Sequence, residues 1–447
     1  MQEETPDRIC RTAQAGPARV AEDEPVAGDC TEPRSTRQTS LMVHVLERDN
    51  LVRALKQVKR NKGAPGIDGI SVDQLPDYLK QHWPVIRQRL LDGTYRPTPV
   101  RRVEIPKADG RMRKLGIPTV IDRLIQQAIA QVLSLHWEEH FHDNSYGFRP
   151  KRSAHQALRH GQSAMRADRR WVVDCDLDAF FDRVNHDRLM HEVKQQIGDK
   201  VLLSLINRFL KAGIQLHGRT VASTEGVPQG GPLSPVLSNI LLNQLDWELH
   251  RRGHHFVRYA DDFQIYVGSQ KAGERVLASL QRYIGDSLRL KVNTHKSAVE
   301  RPWNCSFLGF TFSRRDLRLK VSEKASQKLK VTIRELSRRT RGHSLLTIIT
   351  QLRETLLGWK AYFGIAEVLS PLRDIDKWIR RKLRCYLWKQ WARRGYRMLR
   401  RLGVDRQLAW NTAKSAHGPW RLSKSPALYR ALPNRYFRDL GLPELAA

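Results

Sequence analysis

Two adjacent carboxylates, Asp261 and Asp262, stand between the runs His255-Phe256-Val257-Arg258-Tyr259 and Phe263-Gln264-Ile265-Tyr266-Val267. Beyond the pair, apolar residues alternate at 263, 265 and 267, the period of a half-buried strand. The run before it is rich in aromatic and β-branched residues, so two strands meeting in a tight turn are expected. That geometry sets the pair at the exposed tip of a hairpin. Like charges so close repel and raise a pKa unless a cation sits between them. A hard divalent cation with oxygen ligands meets that need, although a turn chosen only for its Asp propensity would read the same in isolation. Upstream, Trp171-Val172-Val173-Asp174-Cys175-Asp176-Leu177 reads as a buried strand interrupted by two acids. An apolar strand keeps an Asp only if it is paired or metal-bound. Asp174 and Asp176 share one face of it, and Phe180-Phe181-Asp182 follow at once.

Other segments must position these acids. Gly226-Val227-Pro228-Gln229-Gly230-Gly231-Pro232-Leu233-Ser234-Pro235 is a loop whose glycines let backbone approach a ligand closely. It leads into an apolar helix carrying Val236, Leu237, Ile240, Leu241 and Leu245. Two short extended segments around Asp109-Gly110 suggest a hairpin whose arms carry Lys107, Arg111, Arg113 and Lys114. Such a cluster suits phosphate oxygens or simply water. Asp122-Arg123 opens a helix with Leu124, Ile125, Ala128 and Ile129 on one face. After Val321 the chain reads as helical and increasingly basic. Leu329, Ile333 and Leu336 share a face, and Leu345, Ile349, Leu352, Leu356 and Trp359 follow a Ser344 N-cap. In a third helix Ile375, Ile379, Leu383 and Leu387 form the apolar stripe, with Lys377, Arg381 and Arg384 on the other side. Residues 371–447 hold 19 Lys/Arg against 5 Asp/Glu, interleaved with Trp378, Trp388, Trp391, Trp410 and Trp420. That mixture suits stacking on bases and gripping phosphates, and equally a Trp-filled core with solvated arginines; both are expected.

Composition narrows the class. The 447 residues are 40% hydrophobic, enough for globular packing, and carry a formal net charge of +32. The pI near 10.4 favours polyanionic partners. No run approaches the ~18 apolar residues of a membrane span, and no export leader is evident, so a cytoplasmic nucleic-acid binder without a membrane partner is expected. Cys10, Cys30, Cys175, Cys305 and Cys385 fall in no metal-binding spacing and read as free thiols of a reducing compartment. Residues 1–40, with eight acids against five bases, read as a disordered leader or a misassigned start.

In order, Asp176, the Pro228-Gln229-Gly230 loop and Tyr259-Ala260-Asp261-Asp262 resemble the palm of reverse transcriptases. Ile105-Pro106-Lys107, Leu115-Gly116-Ile117-Pro118, Ser145-Tyr146-Gly147-Phe148-Arg149-Pro150 and Gly358-Trp359-Lys360-Ala361-Tyr362-Phe363 resemble bacterial group II intron reverse transcriptase–maturases, from about Leu41 onward. The resemblance implies an α+β right hand: N-terminal extension and fingers (41–170), an antiparallel-sheet palm with intervening fingers elements (171–318), a helical thumb or maturase region (319–395) and a short basic DNA-binding segment (396–447). It implies an RNA-directed DNA polymerase that assists splicing of its intron and mobilises it by target-primed reverse transcription. The implied partners are group II intron RNA, target DNA, an RNA template with a DNA primer, and dNTPs, in a ribonucleoprotein or nucleoid setting. Asp176 and Asp261, supported by Asp262, would hold two Mg2+ ions, with Mn2+ as a substitute. By the same resemblance Lys107 and Arg113 clamp the triphosphate, Gln229 lines the nucleotide pocket, Phe181 blocks a ribose 2′-hydroxyl and Lys296 protonates pyrophosphate. Asp174 and Asp182 are left as supporting residues. Lacking the His and paired-Cys spacing of the endonuclease found in many relatives, the chain is not expected to nick DNA. A splicing-only maturase and a defence or retron-like reverse transcriptase are the alternatives; three clustered acids argue against the first and the Trp-rich basic region against the second.

Overall fold

The structure, a computed structural model, describes residues 40–106, 110, 112–216 and 219–446. The acidic leader, Cys10, Cys30, Lys107 and Arg111 lie outside these residues. Ten strands are labelled in chain order: β1 Val100–Pro106, β2 Met112–Ile117, β3 Trp171–Asp176, β4 Ile214–Leu216, β5 Arg219–Val221, β6 His255–Tyr259, β7 Asp262–Val267, β8 Ala298–Glu300, β9 Phe310–Phe312 and β10 Leu319–Val321. Two four-stranded sheets organise the front of the molecule. The palm sheet runs β6-β7-β3-β8 with every neighbouring pair antiparallel. The fingers sheet runs β2-β1-β4-β5, with β1 antiparallel to β2 and parallel to β4.

Strand periodicity divides the palm into two faces. Val173, Cys175, Phe263, Ile265 and Val267 point into one hydrophobic core, with Leu280 and Ile284 of the Gln270–Asp286 helix and the apolar Ser234–Arg251 and Val120–Trp137 helices. Val172, Val257 and Tyr266 point into a second core with Leu158 and Met165 of the Ala154–Arg166 helix and the residues of the thumb. The alternation at 263, 265 and 267 therefore does not mark a half-buried strand. β7 lies inside the sheet with both faces covered, and every residue from Phe263 to Val267 is buried. The polar residues that break the pattern, Gln264 and Tyr266, meet partners: Gln264 Nε2 donates to Asp174 at 3.1 Å, and Tyr266 lies under the Ala154–Arg166 helix.

The thumb follows its sequence signals closely. Ser322 and Ser344 cap the Glu323–Leu336 and Leu345–Phe363 helices through their hydroxyls, which accept from the Ala325 and Thr347 N–H groups at 3.3 and 3.1 Å. Each satisfies a donor that a helix start leaves orphaned. The Ser370–Trp391 helix buries Ile375, Ile379 and Leu383. The basic segment beyond 395 packs on it: Leu399, Ala409, Leu428, Leu432 and Phe437 join the same core. Asp376 fastens the end of the described chain, accepting the Leu445 N–H at 3.0 and 3.1 Å and the Ala446 N–H at 3.2 Å.

Candidate active site

Register brings the acids together. β3 pairs with β7 so that Asp176 is opposite Asp262 and Asp174 opposite Gln264. Directly opposed residues in an antiparallel pair lie about 5 Å apart at Cα and project to the same face. Tyr259 and Asp262 close the β6–β7 hairpin, which leaves Ala260 and Asp261 as the turn. Contrary to an exposed tip, Asp261 and Asp262 are half-buried, because β3 and the loop at 144–147 flank the turn. The backbone of Asp176 is held from the far side: its N–H donates to Ser297 Oγ at 3.0 Å and its carbonyl accepts the Asn293 N–H at 2.8 Å. Lys296 Nζ stands 3.3 Å from Asp176 Oδ2. Ser297 escaped the sequence reading; its only signal is a small hydroxyl residue adjoining Lys296.

Burial first, then the charges of Asp174, Asp261 and Asp176, push the Asp262 carboxyl up to about 8, with Lys296 opposing. Burial also lifts Asp174 to about 6, opposed by its bond from Gln264 and reinforced by Asp176. Asp261 is raised by burial and by Asp176 against the pull of Arg113 and Arg258. Among the described residues no group of three carboxylate, imidazole or thiol side chains already forms a metal cage. The donor set nevertheless fits a hard cation: oxygen-only, mutually repelling, and short of the six ligands Mg2+ takes, as suits an ion completed by water and triphosphate.

Above the acids the fingers meet the Gly/Pro loop. Arg113 Nε donates to Gln229 Oε1 at 2.8 Å, Gln229 Nε2 reaches Asp182 Oδ1 at 3.4 Å, and the Gly116 N–H donates to the Gln229 carbonyl at 2.8 Å. Phe181, half-buried, lines a cleft of about 220 Å³ with Asp182, Gln229, Gly116, Arg102 and Lys114. The structure thus brings Arg113, Gln229 and Phe181 together; Lys107 lies outside the described residues. Arg102, also absent from the sequence reading, was hidden because nothing local distinguishes it from its neighbour Arg101 in β1. Larger cavities, of about 680 and 830 Å³, lie behind the palm helices and among the first helices, away from the acids.

The three cations assigned to a nucleic-acid face separate. Lys377 is exposed and 3.2 Å from Asp374. The Arg381 guanidinium lies 3.7 Å over the Trp420 ring and donates to the Trp420 carbonyl at 3.1 Å. Arg384 is 1% exposed, donates to the Leu432 carbonyl at 2.9 Å and to Asn434 Oδ1 at 3.2 Å, and stacks over Tyr429. Arg384 is therefore not a surface residue as expected. The tail packs over that side of the helix and takes its guanidinium inside.

Comparison with known proteins agrees with this geometry. Residues 105–312 match the family model described as reverse transcriptase (RNA-dependent DNA polymerase), and residues 326–403 that of the group II intron maturase-specific domain. Protein YkfC of Escherichia coli K12 is 34% identical over 371 residues, spanning 73% of this chain and 96% of its own length. The group II intron-encoded protein LtrA of Lactococcus lactis is 40% identical over 209 residues, 46% of this chain and 35% of LtrA. A putative COX1/OXI3 intron 2 protein of Saccharomyces cerevisiae is 26% identical over 63% of this chain and 39% of its own length.

Proposed function

Because the chain belongs to the group II intron-encoded reverse transcriptase–maturases, RNA-directed DNA polymerases with a splicing-assisting domain, we propose that it copies RNA at the Asp176, Asp261 and Asp262 site. The observation that carries this is the pairing of Asp176 with Asp262 across β3 and β7, beneath a cleft lined by Phe181 and Gln229. Asp176 and Asp261, with Asp262 beside them, would hold two Mg2+ ions, or Mn2+ in their place. When bound, such ions stabilise attacking and leaving oxygens in an in-line phosphoryl transfer. The side chains divide the remaining work. Arg113, braced by Gln229, meets phosphate charge together with Lys107. The Phe181 ring shapes the cleft against a ribose 2′-hydroxyl. Lys296, within reach of Asp176 Oδ2, would donate a proton to the leaving pyrophosphate.

The partners proposed are intron RNA, target DNA, an RNA template with DNA primer, and dNTPs, with intron splicing and target-primed mobility as the biological outcome. The maturase-domain match at 326–403 and the net charge of +32 support RNA binding. Among the described residues no helix is long and apolar enough to cross a membrane, and a cytoplasmic ribonucleoprotein is the setting proposed. The test is extension of a DNA primer on an RNA template by purified protein with dNTPs and Mg2+. Tight template binding with no extension at any Mg2+ or Mn2+ concentration would overturn the polymerase and leave a splicing-only maturase.

A further inference from the structure

Arg258 is fully buried one strand away from the acids, on the opposite face of the palm sheet from Asp262. A charged side chain in that place is costly unless its donors are satisfied, and here they are shared out in a telling way. Nε donates to Asp246 Oδ1 at 2.8 Å and to Oδ2 at 3.0 Å, and Nη2 donates to Oδ2 at 2.6 Å. Nη1 donates to Asn239 Oδ1 and to the carbonyl oxygen of Ala260, both at 2.9 Å. Ala260 is the first residue of the turn that ends in Asp261 and Asp262, and it adopts a φ of 60°. That left-handed conformation is unfavourable for a residue with a Cβ and persists only when its surroundings hold it.

A second contact closes on the same turn. Asn239 Nδ2 donates to the Gly147 carbonyl at 2.8 Å, and Gly147 lies so close to the Ala260 nitrogen that a Cβ there would collide with it. The Tyr146 N–H and the Asn144 carbonyl meanwhile pair with the backbone of Arg258, both at 2.9 Å. The turn is gripped through Arg258 and Gly147, and Asn239 ties the two together.

We propose that Arg258, oriented by Asp246 and Asn239, is a positioning residue that clamps the Ala260–Asp261 turn and so fixes where Asp261 and Asp262 present their carboxylates. The inference rests on the reading that those acids hold the metal. A bond that only stapled the Ser234–Arg251 helix to the sheet would need Asp246 alone, and apolar residues would serve as well. The arm that reaches Ala260 has no part in such a staple. Lysine cannot reproduce it, because a single ammonium lacks the planar fork that serves Asp246, Asn239 and Ala260 at once.

The test uses the full chain carrying Arg258→Lys or Asn239→Ala, assayed for primer extension across an Mg2+ titration. In the folded fraction kcat falls by on the order of 10–100-fold and the half-saturating Mg2+ concentration rises several-fold. The KM for dNTP and the primer–template affinity stay within about twofold of wild type. A lowered melting temperature with wild-type kcat and Mg2+ dependence would overturn the clamp and leave Arg258 as a staple. Should Arg258→Lys fail to fold, Asn239→Ala decides alone, since it keeps the Arg258–Asp246 pair and removes both the Asn239 acceptor that orients Nη1 toward Ala260 and the tie to Gly147. Asp261→Asn and Asp262→Asn run beside them. If these retain activity, the metal reading fails; if they are inactive while the clamp variants match wild type, only the clamp fails.

Discussion

At Asp262 the fold works against the ionised form of the group it holds. The carboxyl's ordinary value is 3.8, and in the folded chain it rises to about 8 through burial and the neighbouring acids. Between those two pH values the folded state holds more protons than the unfolded one, so the metal-free protein loses stability as pH climbs from about 4 to 8 and loses no more beyond. Asn has no charge to bury. Asp262→Asn is therefore expected to melt higher than wild type in EDTA, by an advantage that grows across that window to on the order of a few kcal/mol at pH 8. Added Mg2+ should reverse the order above pH 7, because only the carboxylate gains from the ion. Melting curves of both proteins at pH 5 and 8, with and without Mg2+, check this. An advantage for Asn that does not change with pH would mean that the acids do not repel as the geometry implies. The same repulsion makes two carboxylates with no cation between them a poor resting state and a good receptor.

At the scale of elements, the Ser370–Trp391 helix separates two kinds of arginine that sequence alone could not. Removing the Arg384 side chain strips donors from the Leu432 carbonyl and Asn434 and leaves the ring of Tyr429 uncovered. Arg384→Ala should cost about 2–4 kcal/mol of stability. Lys377→Ala, on the exposed side, should cost under about 0.5 kcal/mol and, if Lys377 meets a phosphate, lower the salt dependence of RNA binding by just under one unit. Denaturant melts and binding isotherms across a salt series separate the two; equal stability losses would contradict the burial of Arg384. The contrast shows what was legible. Strand β3, the β6–β7 hairpin, the Ser344 cap and the apolar stripes were readable, because each is a local periodicity or a cap with a local cause. The pairing of Asp176 with Asp262 could be expected only from the order of motifs, since register over such a separation leaves no local trace. Arg384 was misread because the residues that cover it come some 50 positions later in the chain, at Tyr429, Leu432 and Asn434. Arg258 had a signal that passed unweighed: an arginine inside an apolar strand needs a buried partner, and Asn239 and Asp246 stand on one face of the buried helix that precedes it.

Taking the molecule as a whole, most of the excess positive charge lies on elements other than the palm sheet that carries the acids, so synthesis and RNA binding should be separable. The net charge of +32 is spread over fingers, thumb and tail, whereas the carboxylates meet at one corner of the palm sheet. Replacing both Asp261 and Asp262 by Ala removes two mutually repelling groups that contribute no hydrophobic burial, and the fold should tolerate the loss. Nucleotide addition should be abolished. RNA affinity should be unchanged or slightly higher, because less negative charge opposes the phosphates, and splicing of the cognate intron at low Mg2+ should survive. The complementary variant neutralises Lys389, Arg393 and Arg394, all exposed at the end of the Ser370–Trp391 helix and the turn after it. Arg381 and Arg384 are unsuitable for this purpose because their guanidinium groups dock the tail. Each lost phosphate contact should lower the slope of log affinity against log salt by roughly 0.7–0.9, reducing splicing more than extension of a preformed primer–template. Both variants are to be assayed in parallel for cDNA synthesis and intron excision, with melting curves to confirm folding. If the double Asp variant folds but loses excision along with synthesis, the acids also serve the RNA-binding surface and the division drawn here is wrong.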